Sequence, residues 1–191
     1  HDSLGLLPME QLIQPAIDIA MRGFALTALE ARDLNQHRSN ISKASTLPNT
    51  YTEREHWQKG DTMRQIDLAH TLERIRDGGP AGFYTGTTAQ LIIDEMVRGG
   101  GLISREDLIG YKPAWRSPAR GTYRDVEVIS MGPPSSGGMV LLQSLKGIAA
   151  MDVKSSGWQS TATVHRMVEV ERRAFADRAT HLGDPDFVKI P

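Results

Sequence analysis

The chain has 191 residues, which suits one domain or two small ones. Its 22 lysines and arginines nearly balance 23 aspartates and glutamates, so the formal net charge is −1 at pH 7. This balance excludes the strongly basic surface typical of nucleic-acid binding, and no run of roughly 18 apolar residues could span a membrane. The chain has no cysteine, which excludes disulfides, thiolate nucleophiles and cysteine-ligated metals.

Residues 1–112 are predicted to be a helical part. Apolar residues recur there at helical spacing, and the segments that carry them end near glycine or proline. The predicted helices cover residues 8–23, 27–42, 65–77 and 87–98. Pro15 predicts a break or kink in the first helix. Thr27 followed by Glu30 predicts a capping box at the second, and Ser104 predicts the start of a further, short helix.

Two loop features of this part have a structural interpretation. Residues 43–60 are predicted to form an ordered connection, because the large aromatic side chains of Tyr51 and Trp57 need burial. Gly60-Asp61 and the glycines at 99–101 could suggest phosphate binding, but neither completes a P-loop motif or follows a predicted strand. Both are therefore interpreted as helix caps.

Residues 113–191 are predicted to form a β-hairpin followed by helices. The predicted strands cover residues 115–120 and 123–131, with a turn near Arg120-Gly121, and the predicted helices cover residues 139–151 and 161–180. The fold class predicted for the chain is therefore α+β, predominantly helical with one β-hairpin.

The string Pro-Pro-Ser-Ser-Gly-Gly at residues 133–138 is the most specific motif. Its candidate binding residues are Ser135, Ser136, Gly137 and Gly138. A strand end followed by serines, glycines and a helix exposes backbone N–H groups that can bind an anion or carboxylate. The favoured alternative is a serine N-cap with glycines that permit close packing. A serine nucleophile is disfavoured because Gly-x-Ser-x-Gly is absent and no histidine is near in sequence.

His165 and Glu169 stand four residues apart on a predicted helix, a spacing shared by metal ligands and by hydrogen-bonded pairs. No His-Glu-x-x-His motif occurs and no second histidine completes a ligand set. A polar surface pair is favoured, and no metal or cofactor is predicted. The charged residues from Glu169 to Arg178 predict a solvated or interdomain face, with Glu169 and Arg173 paired along the helix.

The order of several short strings resembles the large subunit of γ-glutamyltranspeptidases. The strings lie within residues 12–24, 60–72, 82–86, 100–111, 118–124, 133–138 and 165–187. Ile66 stands where that family usually has proline, and Met139 where a β-branched residue is common. Together with the incomplete chemistry near both ends, the resemblance leads us to expect an internal fragment of the large subunit.

The resemblance implies part of an αββα N-terminal-nucleophile hydrolase. Such a precursor cleaves itself, and the new N-terminal threonine of the small subunit attacks a γ-glutamyl amide, typically of glutathione, with its own α-amine as base. By the order of the family, that threonine lies beyond Pro191 and the arginine that binds the substrate carboxylate lies before His1. No catalytic residue is therefore predicted in this chain, and residues 135–138 remain the candidate loop near the site.

Further expectations follow from the resemblance. The isolated chain should be inactive, its partner should be the small subunit of the same precursor, and its uncovered apolar surface should cause self-association. A periplasmic or secreted location is expected, although this sequence contains no export signal. A cephalosporin or glutaryl acylase of the same fold, and a non-catalytic binding module, remain open as alternatives.

Overall fold

The computed structural model describes residue 1 and residues 3–190, which divide into two compact units. Unit 1 comprises residues 1–112 and unit 2 residues 113–191. Helices predominate over strands in both units, and the described residues form two small antiparallel sheets of two strands each. The predominantly helical α+β class is confirmed, but the sheet in unit 1 was not predicted. None of the helices in the described part is long and apolar enough to cross a membrane.

Unit 1 follows the predicted series of helices closely. Its elements are α1 (Met9–Arg22), β1 (Phe24–Ala25), α2 (Ala28–Ala44), β2 (Thr62–Met63), α3 (Ile66–Gly78), α4 (Ala81–Tyr84), α5 (Gly86–Gly99) and α6 (Arg105–Gly110). The ends of the four long helices lie within two residues of the prediction. The short helix α4 and the pairing of β1 with β2 are additions that the periodicity did not indicate.

Helix α1 runs without interruption through Pro15, so the predicted break is wrong. The proline ring removes one backbone donor, which leaves the carbonyl of Gln11 without its usual helical partner. Both residues are exposed, so water can satisfy that carbonyl. On the other side of α1, Ile17 and Ala20 are buried against Ala69 of α3. This packing holds the helix together across the proline.

Trp57 anchors the second cluster of unit 1 with only 1% of its surface exposed. Its buried neighbours are Leu26, Ala31 and Met63. The indole Nε1 donates to the carbonyl of Tyr51 at 3.0 Å. Asn35 Nδ2 donates to the carbonyl of Trp57, and Asn35 Oδ1 accepts from the N–H of Trp57, both at 2.8 Å. Burial of Trp57 is confirmed. The predicted burial of Tyr51 is wrong, because this residue is 41% exposed and contacts Trp57 through its backbone carbonyl.

Two capping boxes begin helices where the sequence indicates. The N–H of Glu30 donates to Thr27 Oγ1 at 3.2 Å, and the N–H of Thr27 donates to the Glu30 carboxylate at 2.7 Å. Ser104 and Asp107 make the same pair of bonds at 3.1 and 2.8 Å. The backbone donor at each cap stabilises the carboxylate and lowers the pKa of Glu30 and of Asp107.

The two glycine features of unit 1 differ from each other. Gly100 ends α5 in the left-handed conformation and its N–H donates to the carbonyl of Met96, so the interpretation of residues 99–101 as a helix cap is confirmed. Gly60-Asp61 is not a helix cap. The N–H of Gly60 donates to the carbonyl of Leu26, whose own N–H donates to the carbonyl of Asp61, both at 2.9 Å. The pair therefore extends the small sheet.

Unit 2 is a hairpin packed on two helices. Its elements are β3 (Ala119–Tyr123), β4 (Val126–Ser130), α7 (Gly137–Ala149) and α8 (Thr161–His181). The strands are antiparallel, with Gly121 opposite Val128. Helix α7 packs on the hairpin and on α8, so it is the central layer of the unit.

The hairpin turn lies at Arg124-Asp125, not at Arg120-Gly121 as predicted, and the predicted strand over residues 115–120 begins too early. Arg124 takes the positive φ of 55° that the tight turn requires. Gly121 lies inside β3, where an added Cβ would come within 2.8 Å of Leu142 Cδ2. This glycine therefore permits α7 to pack closely on the sheet. The position of a glycine in the sequence does not by itself show whether it serves packing or a turn.

Candidate functional site

The candidate loop at residues 133–138 joins the end of β4 to the start of α7. A cis peptide bond joins Pro133 to Pro134. Ser136 takes the N-cap position of α7, but its side chain makes no capping bond. Instead, Ser135 Oγ accepts from the N–H of Gly137 at 3.4 Å. The predicted serine cap is therefore right in position, while the N-cap hydroxyl is left for another partner.

That partner is Arg178 of α8, whose Nε donates to Ser136 Oγ at 2.7 Å. The contact joins residues 42 positions apart. One helical position earlier, Asp177 accepts a bond from the side chain of Gln143 on α7 at 3.1 Å. The assignment of Arg178 to a solvated charge run is incomplete, since this arginine fixes the loop from the neighbouring helix.

Of the two loop glycines, Gly138 is the one that close packing requires. A Cβ at Gly138 would lie 2.2 Å from the carbonyl oxygen of Met131 and 3.0 Å from Ser130 Cβ. At Gly137 the nearest atom to such a Cβ would be Ser135 Oγ, at 3.7 Å. The first turn of α7 therefore touches the backbone at the end of β4, which sets the position of the loop.

An open groove of about 560 Å³ lies beside the loop. It is lined by residues 114, 116–118 and 129–135. Arg116 is the charged residue in this lining, but its guanidinium donates to both carboxylate oxygens of Asp186 at 3.1 and 2.6 Å and lies 3.5 Å from Asp184. The hydrogen bonds from Arg116 lower the pKa of Asp186. Because this cation is already paired, the groove offers a ligand a largely apolar wall with a few hydroxyls and backbone groups.

The His165–Glu169 pair does not form. Glu169 accepts hydrogen bonds from Arg172 at 2.9 Å and from Arg173 at 3.1 Å, and the bond from Arg172 is the main reason for its lowered pKa. The predicted pairing of Glu169 with Arg173 is confirmed. Across the part of the chain that the structure describes, no group of three or more histidine, aspartate or glutamate residues could hold a metal ion.

Sequence reasoning found the loop but missed the two arginines that organise its surroundings. Arg178 and Arg116 contact groups 42 and 70 positions away in sequence. Nothing in the local spacing marks either contact. The site as a whole supplies positioned hydroxyls and backbone groups, without a nucleophile paired to a base.

Comparison with known proteins decides the family. Residues 1–191, the whole chain, match the family model for gamma-glutamyltranspeptidase. The chain belongs to the gamma-glutamyltranspeptidase family. The resemblance seen in the ordered strings is thereby confirmed.

Individual members of the family show how much of a relative the chain covers. It is 42% identical to the glutathione hydrolase proenzyme of Escherichia coli (strain K12) over 197 aligned residues, which cover 100% of the chain and 33% of that relative. It is 36% identical to the acylase ACY 1 proenzyme of Pseudomonas sp. (strain SE83), covering 98% of the chain and 34% of that protein. The chain thus spans about a third of the length of these curated relatives.

A solved family structure has the same fold. The gamma-glutamyltranspeptidase of Helicobacter pylori superposes on the whole chain with a TM-score of 0.89 at 38% identity. The chain covers 55% of that structure. The helices and the hairpin described above therefore have counterparts in that structure.

Proposed function

We propose that the chain is part of the large subunit of a γ-glutamyltranspeptidase that transfers or hydrolyses γ-glutamyl groups of glutathione-like donors. The observation that carries this proposal is the family match over all 191 residues. The relative from E. coli, named a glutathione hydrolase proenzyme, supports the substrate class. The name proenzyme also supports a precursor that is processed before it acts.

In this proposal the bond-breaking groups lie outside the chain. The N-terminal threonine of the small subunit attacks the γ-glutamyl carbonyl, its α-amine accepts the proton, and an oxyanion hole stabilises the tetrahedral intermediate. The intermediate collapses with cleavage of the amide bond, and the protonated α-amine gives its proton to the leaving amine. The γ-glutamyl group is then transferred from the threonine ester to water or to an acceptor amine, which frees the threonine. The chain contributes part of the αββα scaffold, with the hairpin of β3 and β4 and the helices α7 and α8 as its share of the layers.

The loop of Ser135, Ser136, Gly137 and Gly138 is the part of the chain that we propose to lie near the substrate. Support comes from the fixed position of this loop, which Arg178 holds from α8 and the close approach of Gly138 holds from β4. The adjacent groove has an arginine that is already neutralised, so it suits an uncharged part of a substrate better than a carboxylate. A rigid, uncharged wall positions a substrate without competing for its anionic end.

Partners and location complete the proposal. The small subunit of the same precursor is the proposed partner, and the periplasm or the exterior is the proposed location. Released from its precursor, the chain is proposed to self-associate, because Trp115, Trp158 and Phe187 are each at least 84% exposed. Light scattering of the purified chain across a concentration series tests this, and a constant monomer mass would refute it.

An acylase of the same family is the second candidate, favoured by the 36% identity to acylase ACY 1. The two activities differ in the acyl group. A γ-glutamyl group carries an α-amine beside its carboxylate, whereas a glutaryl group keeps the carboxylate and lacks the amine. A binding module without activity is the third candidate. All three can be separated by one set of assays.

The test uses the full-length precursor expressed from its gene. We expect cleavage into two chains, release of the chromophore from a γ-glutamyl anilide, and much slower release from a glutaryl anilide. The purified 191-residue chain, as a control, should release nothing. Faster release from the glutaryl substrate would establish the acylase, and no release from either substrate would leave the binding module. Activity of the isolated chain alone would refute the placement of the nucleophile outside it.

A further inference from the structure

A small cleft in unit 2 lies between α7 and the C-terminal end of α8. Its volume is about 170 Å³, below the roughly 300 Å³ at which pockets for drug-sized ligands begin. After α8 the chain turns, because the N–H groups of Phe187 and Val188 donate to the carbonyl of Asp184 at 3.0 and 2.9 Å. Ile190, just after this turn, joins the lining, so three segments of the unit bound the cleft. A cleft of this size suits a small metabolite.

Two oppositely charged side chains of α8 line this cleft without an ionic partner. Asp177 Oδ2 accepts from Gln143 Nε2 at 3.1 Å, and Arg178 Nε donates to Ser136 Oγ at 2.7 Å. Among the described residues, the other carboxylate oxygen of Asp177 and the two terminal nitrogens of Arg178 have no partner. Consecutive helical residues do not face each other, so these two charges do not neutralise one another. The cleft therefore offers a ligand one anionic acceptor and one cationic donor.

The rest of the lining is apolar apart from Gln143 and His181. Met139, Leu182 and Ile190 are partly buried and give the cleft an apolar wall. The imidazole of His181 makes no hydrogen bond with any residue that the structure describes. A ligand in this cleft therefore meets both charges and an apolar surface.

Simpler classes of ligand leave part of this lining unmatched. An anion would neutralise Arg178 but bring a second negative charge towards Asp177, and a cation would have the opposite fault. A purely apolar molecule would cover both charges without hydrogen bonds, which is costly. The zwitterion of an α-amino acid carries a carboxylate and an ammonium group on one carbon atom, together with a side chain that can be apolar. It matches all three parts of the lining.

We propose that this cleft binds a small α-amino acid with an aliphatic side chain. The ligand carboxylate accepts from the terminal nitrogens of Arg178, whose planar guanidinium suits a carboxylate. The ammonium group donates to the free oxygen of Asp177, and the aliphatic side chain packs on the apolar wall. Because Arg178 Nε stays bonded to Ser136, the ligand and the candidate loop share one guanidinium. This binding site goes beyond the proposed function and does not depend on it.

Ligand-detected NMR by saturation transfer on the full-length precursor tests the site. The probes are L-valine, isovalerate, which lacks the ammonium group, and isobutylamine, which lacks the carboxylate. We expect L-valine to bind about ten- to a hundredfold more tightly than either partial ligand, because each of them loses the hydrogen bonds of one charged group. The methyl protons of L-valine should receive more saturation than its α proton, since they face the apolar wall.

Two substitutions in the cleft should change which ligand binds. Asp177→Asn should weaken L-valine binding about ten- to a hundredfold and strengthen isovalerate binding, because the repulsion between two carboxylates is removed. Arg178→Gln should weaken L-valine binding to a similar extent and strengthen isobutylamine binding. A misfolded cleft would lose affinity for every probe, so these gains separate a change of ligand from a loss of structure. The control Glu171→Gln removes an exposed carboxylate of α8 outside the lining and should leave all three affinities unchanged.

Other outcomes overturn the proposal. Absence of saturation transfer to L-valine would show that the cleft takes no amino acid. Equal L-valine affinity of the wild type and Asp177→Asn would place the binding elsewhere in the precursor. Isovalerate that binds the wild type as tightly as L-valine, or a cleft variant that loses L-valine without the expected gain, would refute the contacts assigned to the two charges. None of these measurements uses anilide release, so the site and the proposed function can fail independently.

Discussion

Replacing Gly138 by alanine tests the close contact that positions the candidate loop. The new Cβ would lie 2.2 Å from the carbonyl oxygen of Met131, whereas carbon–oxygen contacts settle near about 3.3 Å. The obstacle is a backbone atom, so no side-chain rotation relieves it, and α7 or the end of β4 must move by about 1 Å. Such overpacking costs about 1–3 kcal/mol, against a gain of at most about 1 kcal/mol in helix propensity.

The adjacent glycine provides a matched control. Gly137→Ala introduces the same Cβ in the same turn of α7, but its nearest neighbour is Ser135 Oγ at 3.7 Å. We therefore expect Gly137→Ala to be neutral or stabilising by up to about 1 kcal/mol. Urea unfolding followed by far-UV circular dichroism should show a midpoint lowered by about 1 M for Gly138→Ala only. Equal midpoints for the two variants would refute the close approach of α7 to β4.

Three further predictions concern the caps, the core and the ion pairs. Thr27→Ala should cost about 1 kcal/mol in unfolding free energy, measured by urea titration, because α2 loses its capping bonds. Trp57→Ala should cost about 3–5 kcal/mol, because the side chain is 1% exposed, and thermal unfolding should begin well below the wild-type midpoint. Hydrogen bonds from Arg116 lower the pKa of Asp186 in the folded state. The stability that this pair contributes is therefore fully present above pH 3.8, the pKa of the carboxyl group in the unfolded chain, and is lost as the pH falls through the lowered pKa of the folded state. Asp186→Asn should flatten the acid limb of a plot of thermal midpoint against pH.

Each of these variants has a control within the chain. Thr27→Ser keeps the capping hydroxyl and should retain wild-type stability, and Trp158→Ala removes an indole that is 90% exposed and should have little effect. Asp125→Asn should leave the acid limb unchanged, because Asp125 in the hairpin turn has no ion-pair partner among the described residues. A control that behaves like its test variant would contradict the contact assigned to that residue.

Local rules predict those parts of the fold that depend on local interactions. The capping boxes at Thr27 and Ser104 need only residues three positions apart, and both form as expected. The helices of unit 1 follow from apolar spacing along one segment. The family resemblance likewise follows from the order of short strings, so membership in the gamma-glutamyltranspeptidase family can be inferred from the amino-acid sequence alone.

The wrong predictions arise where tertiary packing decides. Pro15 would break an isolated helix, but burial of Ile17 on α3 keeps α1 continuous. Gly121 was predicted to lie in a turn, but in the structure it leaves space for the side chain of Leu142. In the sequence, a glycine required for close packing cannot be distinguished from a glycine required for a turn. For the candidate site, the serines can be found in the sequence, whereas the bond from Arg178 to Ser136 spans 42 residues and has no local pattern.

At Gly138 the first turn of α7 and the end of β4 are separated by a main-chain contact rather than by rotatable groups. Main-chain dimensions are set by covalent geometry and vary little between related proteins, whereas spacings set by leucine or valine shift as those residues are exchanged during evolution. The candidate loop at residues 133–138 leads into the first turn of α7, where Gly138 makes this contact. We therefore expect the position of this loop to stay nearly constant among related proteins whose core residues differ extensively.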